Sequence, residues 1–416
     1  MEFDVRRENL FNLMEDNSIA IIFSGVSKIT SEDEYFPFIV NRNFYYLSGI
    51  EQENSILMLI KGLGEKKAYL FIDPYDPVKE RWTGKRINPE QAKEASQLKN
   101  VYFNTSFESM FTLALSKDGQ FGEIKNIYID LTPEIKIKEG AYTLDFARKI
   151  EKDYPNVKVE NVYPLIRDLR MIKSDEEIEN IRLAINKTNM GINKLIYNLH
   201  PGIYEYELAD LFEFNGRDKG RDNLAFSTII ASGVNSTCLH YPTQDCKIME
   251  DDIILFDLGY RHQLYCADIS RTYPVKGVYS PLQRKIYEAV LNCNKAVIAY
   301  IKEGLTIKDL QDFAVNFLKN ECVRMKLISP EEDIRKYYIH NVSHHLGLDT
   351  HDISDRQKPL QAGNVITVEP GLYFPELKIG VRIEDDVLVT KGRAEVLSSG
   401  IIKEISDIEK MFKTRR

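Results

Sequence analysis

Asp252 to Tyr273, DIILFDLGYRHQLYCADISRTY, is the stretch whose reading decides the fold. An apolar run from Ile253 to Phe256 leads into Asp257, the polar tip Tyr260 to Gln263 turns the chain, and Tyr265 and Cys266 bring it back to Asp268. This pattern predicts a buried β-hairpin. A carboxylate at the end of an apolar strand is costly unless its charge is compensated. Two of them on paired strands repel each other unless a cation lies between. Taken alone, Asp257 and Asp268 read slightly better as hairpin aspartates held by turn amides and by arginines such as Arg271; the rest of the chain reverses that preference.

Working outward, the hairpin belongs to a unit that occurs twice. Ser174 with Glu177 forms a capping box, after which Ile178, Ile181, Ile185 and Ile192 recur at helical spacing, and the helix stops near His200-Pro201-Gly202. His200 is read as a helix-end residue, and a second helix runs from Tyr204 to about Asn215. Pro281 to Lys302 and Leu305 to Asn320 repeat the two helices. DDIILFDLGY around Asp257 then corresponds to AGNVITVEPGLY around Glu369, acid on acid and Gly259 on Gly371. Two similar halves across a pseudo-twofold axis, with the acids converging, are expected.

The chain of 416 residues predicts more than one domain. Its 43% hydrophobic and 28% charged residues fit a soluble globular protein, and a net charge of −8 argues against nucleic acid. No signal-like start and no apolar run of spanning length occurs, so a cytoplasmic protein without membrane contact is expected. Five cysteines without CxxC spacing predict free thiols, buried or partly buried, rather than disulfides or a zinc-cysteine site.

Residues 1–160 read as an N-terminal α/β domain and 174–416 as a second domain, with the boundary near 155–173. Strands are expected at Ser18–Phe23, Asn43–Leu47, Ser55–Ile60, Ala68–Ile72 and Ile124–Ile129. One helix should begin after Asn88, with Pro89 and Gln91 in its first turn, and another should span Leu144–Lys152. Trp82 reads better as a packed aromatic than as a contact or rim residue. This part holds no histidine, so any chemistry lies in the second domain.

There, HNVSHHLGLDTHD places His340, His344, His345 and His351, four of the chain's seven histidines, within twelve positions. Glu369 in ITVEPGLYF and Glu384 in VRIEDD leave apolar strands as the aspartates do, and His240 follows the loop Ser232-Gly233-Val234-Asn235. Two aspartates, one ligating histidine and two glutamates make a joint pattern far more specific than any one residue.

On these residues the sequence resembles the pita-bread metallopeptidases, whose ligand order is Asp, Asp, His, Glu, Glu, and within them the proline-specific branch of Xaa-Pro aminopeptidases and prolidases. NRNFYYLSGI and WTGKR look like that branch's N-terminal domain, MIKSDEEIENIRLA like its helical entry and KEISDIEKM like its tail. The resemblance implies an α+β protein, an N-terminal α/β domain followed by a pseudo-twofold pita-bread domain. It implies metal ligands Asp257, Asp268, His344, Glu369 and Glu384, substrate or proton-handling roles for His240, His340 and His351, and supporting roles for Tyr373 and Arg382. Such an oxygen-rich set suits two divalent ions, manganese above all. A water shared between them would act as hydroxide on the carbonyl before proline, with Glu369 moving the proton and His351 and His240 donating to the oxyanion and toward the leaving nitrogen. Asp268 and Glu384 are expected to end returning strands on either side of the metal pair.

Arg356 reads equally as a surface charge or, by the resemblance, as a substrate or proton-relay residue. His345 should point away from His344, His262 should be solvated at the hairpin tip, and Arg382, two residues before Glu384, should face the same side and neutralise part of the cluster. GLYFPELKIGVRI, between the two glutamates, is shorter than in many relatives, which bears on pocket shape. The leading function is removal of the N-terminal residue from peptides with proline second, by a homo-oligomer, dimer or tetramer. The alternatives are a prolidase acting on Xaa-Pro dipeptides and, remotely, a non-catalytic binding module; five competent ligand positions disfavour the latter and a metal-free creatinase-type hydrolase, and the long N-terminal domain disfavours a methionine aminopeptidase.

Overall fold

The structure, a computed structural model, describes residues 2–116, 119–131, 142–217 and 223–414. Its contacts divide the chain into two compact units, Met1–Arg170 and Met171–Arg416. The fold mixes helix and sheet throughout.

In the first unit α1 (Phe3–Leu13) leads to β1 (Ser18–Phe23), a small exposed hairpin of β2 (Ile29–Ser31) and β3 (Glu34–Tyr35), and α2 (Arg42–Ser48). Then come β4 (Ile56–Gly62), β5 (Glu65–Ile72), α3 (Pro77–Thr83), α4 (Pro89–Ser96), β6 (Val101–Phe103), α5 (Phe107–Ala114), β7 (Asn126–Ile129), α6 (Tyr142–Asp153) and β8 (Lys158–Asn161). α7 (Tyr163–Met171) closes it. Six strands make one mixed sheet in the order β6-β5-β4-β1-β7-β8. Every residue of β1 is buried, as an unbroken apolar run at the centre of a covered sheet requires. Ile19, Ile21, Met58, Phe71, Phe107 and Phe111 are among its core.

Two expectations fail in this unit. NFYYL forms α2, not a strand: Asn41 Oδ1 accepts the N–H groups of Asn43 and Phe44 to start the helix, and Gly49, at φ 69°, stops it. The caps, with burial of Phe44, Tyr45 and Tyr46, override the β-preference of aromatic residues. Trp82 is 77% exposed rather than packed. It lies on α3, which buries none of its residues and is fixed by the Asp76 cap and Pro77. The helix after Asn88 forms as read, with the Asn88–Gln91 capping box in place.

The second unit holds α8 (Asp175–Asn198), α9 (Glu205–Gly216), β9 (Ile229–Ser232), β10 (Ile253–Leu258), β11 (Arg261–His262), β12 (Tyr265–Cys266) and β13 (Ile269–Pro274). It continues through α10 (Pro281–Tyr300), α11 (Ile307–Arg324), β14 (Val365–Val368), β15 (Gly371–Phe374), β16 (Ile379–Arg382), β17 (Asp385–Leu388), β18 (Glu395–Val396) and α12 (Ile405–Thr414). Both long helices open on a serine capping box, Ser174 with Glu177 and Ser280 with Gln283. The repeat is therefore physical as well as sequential.

Register fixes where the acids stand. Asp257 faces Ser270 across β10 and β13, and Arg261 faces Cys266 across β11 and β12, so Asp268 lies two residues from Ser270 on the same face. Val368 faces Asp385 and Gly371 faces Arg382, a register that sets Glu369 opposite Glu384. Asp268 precedes β13, and Glu384 occupies the break between β16 and β17, so neither ends a returning strand as expected. The reason is that both leave the ladder for other partners: Asp268 N–H donates to Asp386 Oδ2 at 3.2 Å and Glu384 N–H to the Ser270 carbonyl at 3.0 Å.

Cys266, Cys293 and Cys322 are buried free thiols, whereas Cys238 and Cys246 are exposed, because both lie in the irregular segment between β9 and β10. His262 is half-buried rather than solvated, since β11 pairs with β12 and packs on α8.

Candidate metal centre

Asp268, His344 and Glu384 each direct one ligand-type atom into a common space, and these atoms lie within 4.8 Å of one another. His344 is prepared for this by its neighbours. Its backbone N–H donates to Thr367 Oγ1 at 3.1 Å, its carbonyl accepts the N–H of Thr367 at 2.9 Å, and its Nδ1 lies 3.0 Å from the His345 carbonyl. An Nδ1–H donated to that carbonyl leaves Nε2 with its lone pair free, as metal-ligating histidines are held. Nε2 stands 3.4 Å from Asp268 and 3.5 Å from Glu369.

The other two acids complete the ring through intermediates. Ser270 Oγ reaches Glu384 Oε2 at 2.7 Å and Asp257 Oδ1 at 3.2 Å, joining the two hairpins. Arg382 donates through Nη2 to Asp257 and through Nε to Ser270 Oγ at 2.7 Å. Its Nη1 lies 3.1 Å from Tyr373 Oη, which is 2.8 Å from His340 Nε2, and His340 Nδ1 is 3.5 Å from Glu369. A hydrogen-bonded chain thus runs from His340, whose Nδ1 is held by the Asn341 carbonyl at 2.8 Å, through Tyr373 and Arg382 to Asp257.

Crowding shows in the proton affinities. Burial, then the charges of Asp257, Asp386 and Glu369, push Asp268 well above the carboxylate range. Burial, then Asp268, Glu369 and Asp257, do the same to Glu384. Glu369 is pushed up to about 6 by burial, with His344 and Arg382 opposing. His340 is lowered to about 3 by burial and by Arg382, and His351 to about 4 by partial desolvation of its ring against the site, exposed though the residue is at its outer edge, and by His344, His240 and Arg356. One arginine does not neutralise this many buried carboxylates, and a divalent cation among them would. The donor set, carboxylate oxygens with one imidazole, fits such an ion.

His351 places its ring 4.2 Å from that of His344, in an edge-to-face arrangement, and is exposed, as is His240. Arg356 is exposed and acts on His345 and His351 through its charge. His345 is buried beside the Lys173–Asp352 ion pair and outside the acid cluster. Ser270 and Thr367 join the site without a motif of their own in the sequence. Each lies two positions from an acid just outside its strand, Ser270 after Asp268 and Thr367 before Glu369, and the extended backbone there keeps the pair on one face.

The fold and this cluster define a metallopeptidase. Residues 179–391 match the model of metallopeptidase family M24, and residues 3–121 match the aminopeptidase P N-terminal domain. The Xaa-Pro aminopeptidase of Haemophilus influenzae is 32% identical over 99% of this chain and 97% of its own length. A solved aminopeptidase P structure from Bacillus anthracis superposes with a TM-score of 0.95 at 41% identity, covering 100% of this chain and 98% of that one. Zinc-substituted Escherichia coli aminopeptidase P in complex with product gives 0.88 at 27% identity, with coverage of 100% and 98%. The chain belongs to metallopeptidase family M24, and within it to the Xaa-Pro aminopeptidase branch, as an enzyme of the pita-bread fold.

Proposed function

We propose that the chain removes the N-terminal residue from peptides with proline in second position, using two divalent ions held by Asp257, Asp268, His344, Glu369 and Glu384. The observation that carries the reading is the convergence of Asp268, His344 and Glu384 among buried acids whose proton affinity is raised. Bound there, divalent ions would provide Lewis acidity toward water and the scissile carbonyl, and the oxygen-rich donor set favours manganese.

The protein's own groups carry the rest. Glu369, a ligand with a second carboxylate oxygen, accepts the proton that the attacking water loses and gives it to the proline nitrogen, which must be protonated to leave. His340, lowered to about 3, stays neutral; with its Nδ1–H donated to the Asn341 carbonyl at 2.8 Å, its Nε2 accepts the Tyr373 hydroxyl without adding charge. His351, neutral for the same reason, presents an N–H to the developing oxyanion, and His240 donates toward the leaving nitrogen. Arg382 donates to Asp257 and fixes its orientation.

Metal-stripped protein assayed on Xaa-Pro and Xaa-Pro-Xaa, with and without added Mn2+, tests this. Manganese-dependent cleavage of the tripeptide is expected. Cleavage of the dipeptide alone would make the enzyme a prolidase, and inactivity on both with no metal taken up would favour a binding module. Light scattering of the same preparation reads the expected homo-oligomer.

A further inference from the structure

The two glutamates stand at a flaw in their own hairpin. The residue opposite Ile383 is Pro370, by the register that pairs Gly371 with Arg382. The Ile383 N–H donates to the Pro370 carbonyl at 3.3 Å, but Pro370 has no N–H to return. The Ile383 carbonyl is therefore left without its ladder donor in a buried place, where an unpaired carbonyl is unfavourable.

A side chain from another element supplies it. Asn294, on α10 and fully buried, donates through Nδ2 to the Ile383 carbonyl at 3.3 Å and to the Val368 carbonyl at 3.1 Å. These are the residues immediately before Glu384 and Glu369. One amide group thus ties together the two backbone points from which the glutamates project. The other end of the amide is fixed as well: Lys403 Nζ donates to Asn294 Oδ1 at 2.8 Å and to Asp385 Oδ2 at 2.6 Å. The ammonium dictates which end of Asn294 faces the carbonyls, since only the NH2 end can donate.

We infer that Asn294, oriented by Lys403, is a positioning residue that holds Glu369 and Glu384 at the separation required to bind metal together. This rests on the metal-centre reading given above. Ligand-orienting partners of this kind change metal affinity by about 10- to 100-fold when removed.

The test uses the full chain loaded with Mn2+ and dialysed against graded nitrilotriacetate, with bound manganese counted by mass spectrometry and the melting temperature measured in parallel. Asn294→Asp keeps the shape and the Lys403 contact but removes both donors, and Asn294→Ala removes everything. Both should release manganese at chelator concentrations about 10- to 100-fold below wild type. Val290→Ala, a buried α10 neighbour outside the bracket, should lower the melting temperature yet retain manganese as wild type does. Lys403→Met should shift retention in the same direction as the Asn294 variants, and carries the test where those do not fold. Manganese retention by Asn294→Asp or Lys403→Met equal to wild type overturns the proposal, as does equal loss from Val290→Ala and Asn294→Ala. A wild type that binds no manganese overturns the metal-centre reading itself, a result distinct from both.

Discussion

The hairpin carrying Asp257 and the hairpin carrying Glu369 follow one plan with different fastenings. In the first, β10 and β13 pair without interruption from Ile253 with Pro274 to Leu258 with Ile269. In the second the ladder is broken into β14 with β17 and β15 with β16, and the residue standing where Leu258 stands is Pro370. The helices behind them differ to match. Counted from their serine caps, Thr188 on α8 and Asn294 on α10 hold the same position. Thr188 Oγ1 accepts the Tyr260 N–H at 2.9 Å, whereas Asn294 donates twice to carbonyls. A proline in one strand has moved a hydrogen-bonding demand onto a helix, and the helix residue has changed from acceptor to double donor.

The acids differ in the same way. Glu369 and Glu384 are directly opposite in register, where like charges repel most, while Asp257 and Asp268 are offset by two residues. The second hairpin should depend more on metal. Asp268→Ala, His344→Ala and Glu384→Ala are each expected to abolish measurable peptide hydrolysis and lower the manganese bound per chain. A variant with normal metal content and normal kcat/KM would remove that residue from the centre.

Next in size is Arg382→Met, which leaves the Asp257 carboxylate buried without its partner. Breaking a buried pair from one side costs about 3–5 kcal/mol. Thermal unfolding of the metal-stripped form should show this loss, and added Mn2+ should recover part of it. Full stability without metal would mean that the first hairpin does not need the arginine. Thr188→Val leaves the buried Tyr260 N–H unpaired, a loss of about 1–3 kcal/mol. Here manganese retention should stay at the wild-type level, in contrast to Asn294→Asp. Metal loss from both would erase the distinction between the halves.

A pH effect follows from Glu369. Its folded affinity for a proton, about 6, exceeds the ordinary 4.5, so the folded metal-free chain binds the proton more tightly than the unfolded one. The resulting stability is present below about 4.5 and is lost as pH rises through about 6. The melting temperature of stripped protein should fall across that window, less so in Glu369→Gln; an equal fall in both would assign the effect elsewhere. The smallest change is expected from Pro370→Ala, which restores an N–H opposite Ile383. Combined with Asn294→Asp it should lessen that variant's loss, a coupling of about 0.5–3 kcal/mol in a double-mutant cycle. Strict additivity would show that Asn294 does not stand in for the missing donor.

The sequence alone carried the two long helices and the Ser174 cap, the repeat that aligns Asp257 with Glu369, and the residue types of the acid and histidine cluster. Those signals are local: a cap needs three residues, a strand shows in its alternation, and a repeat is visible by comparison of the chain with itself. It misled where local preference and tertiary context disagree, as in NFYYL, where caps and burial win, and at Trp82, whose helix buries nothing. Only the tertiary structure decided that Asp268, His344 and Glu384 meet, that Ser270 joins the hairpins, and that Asn294 answers Pro370. Each of these joins residues far apart in the chain, and their meeting depends on how strands pair and helices pack rather than on any spacing the sequence displays.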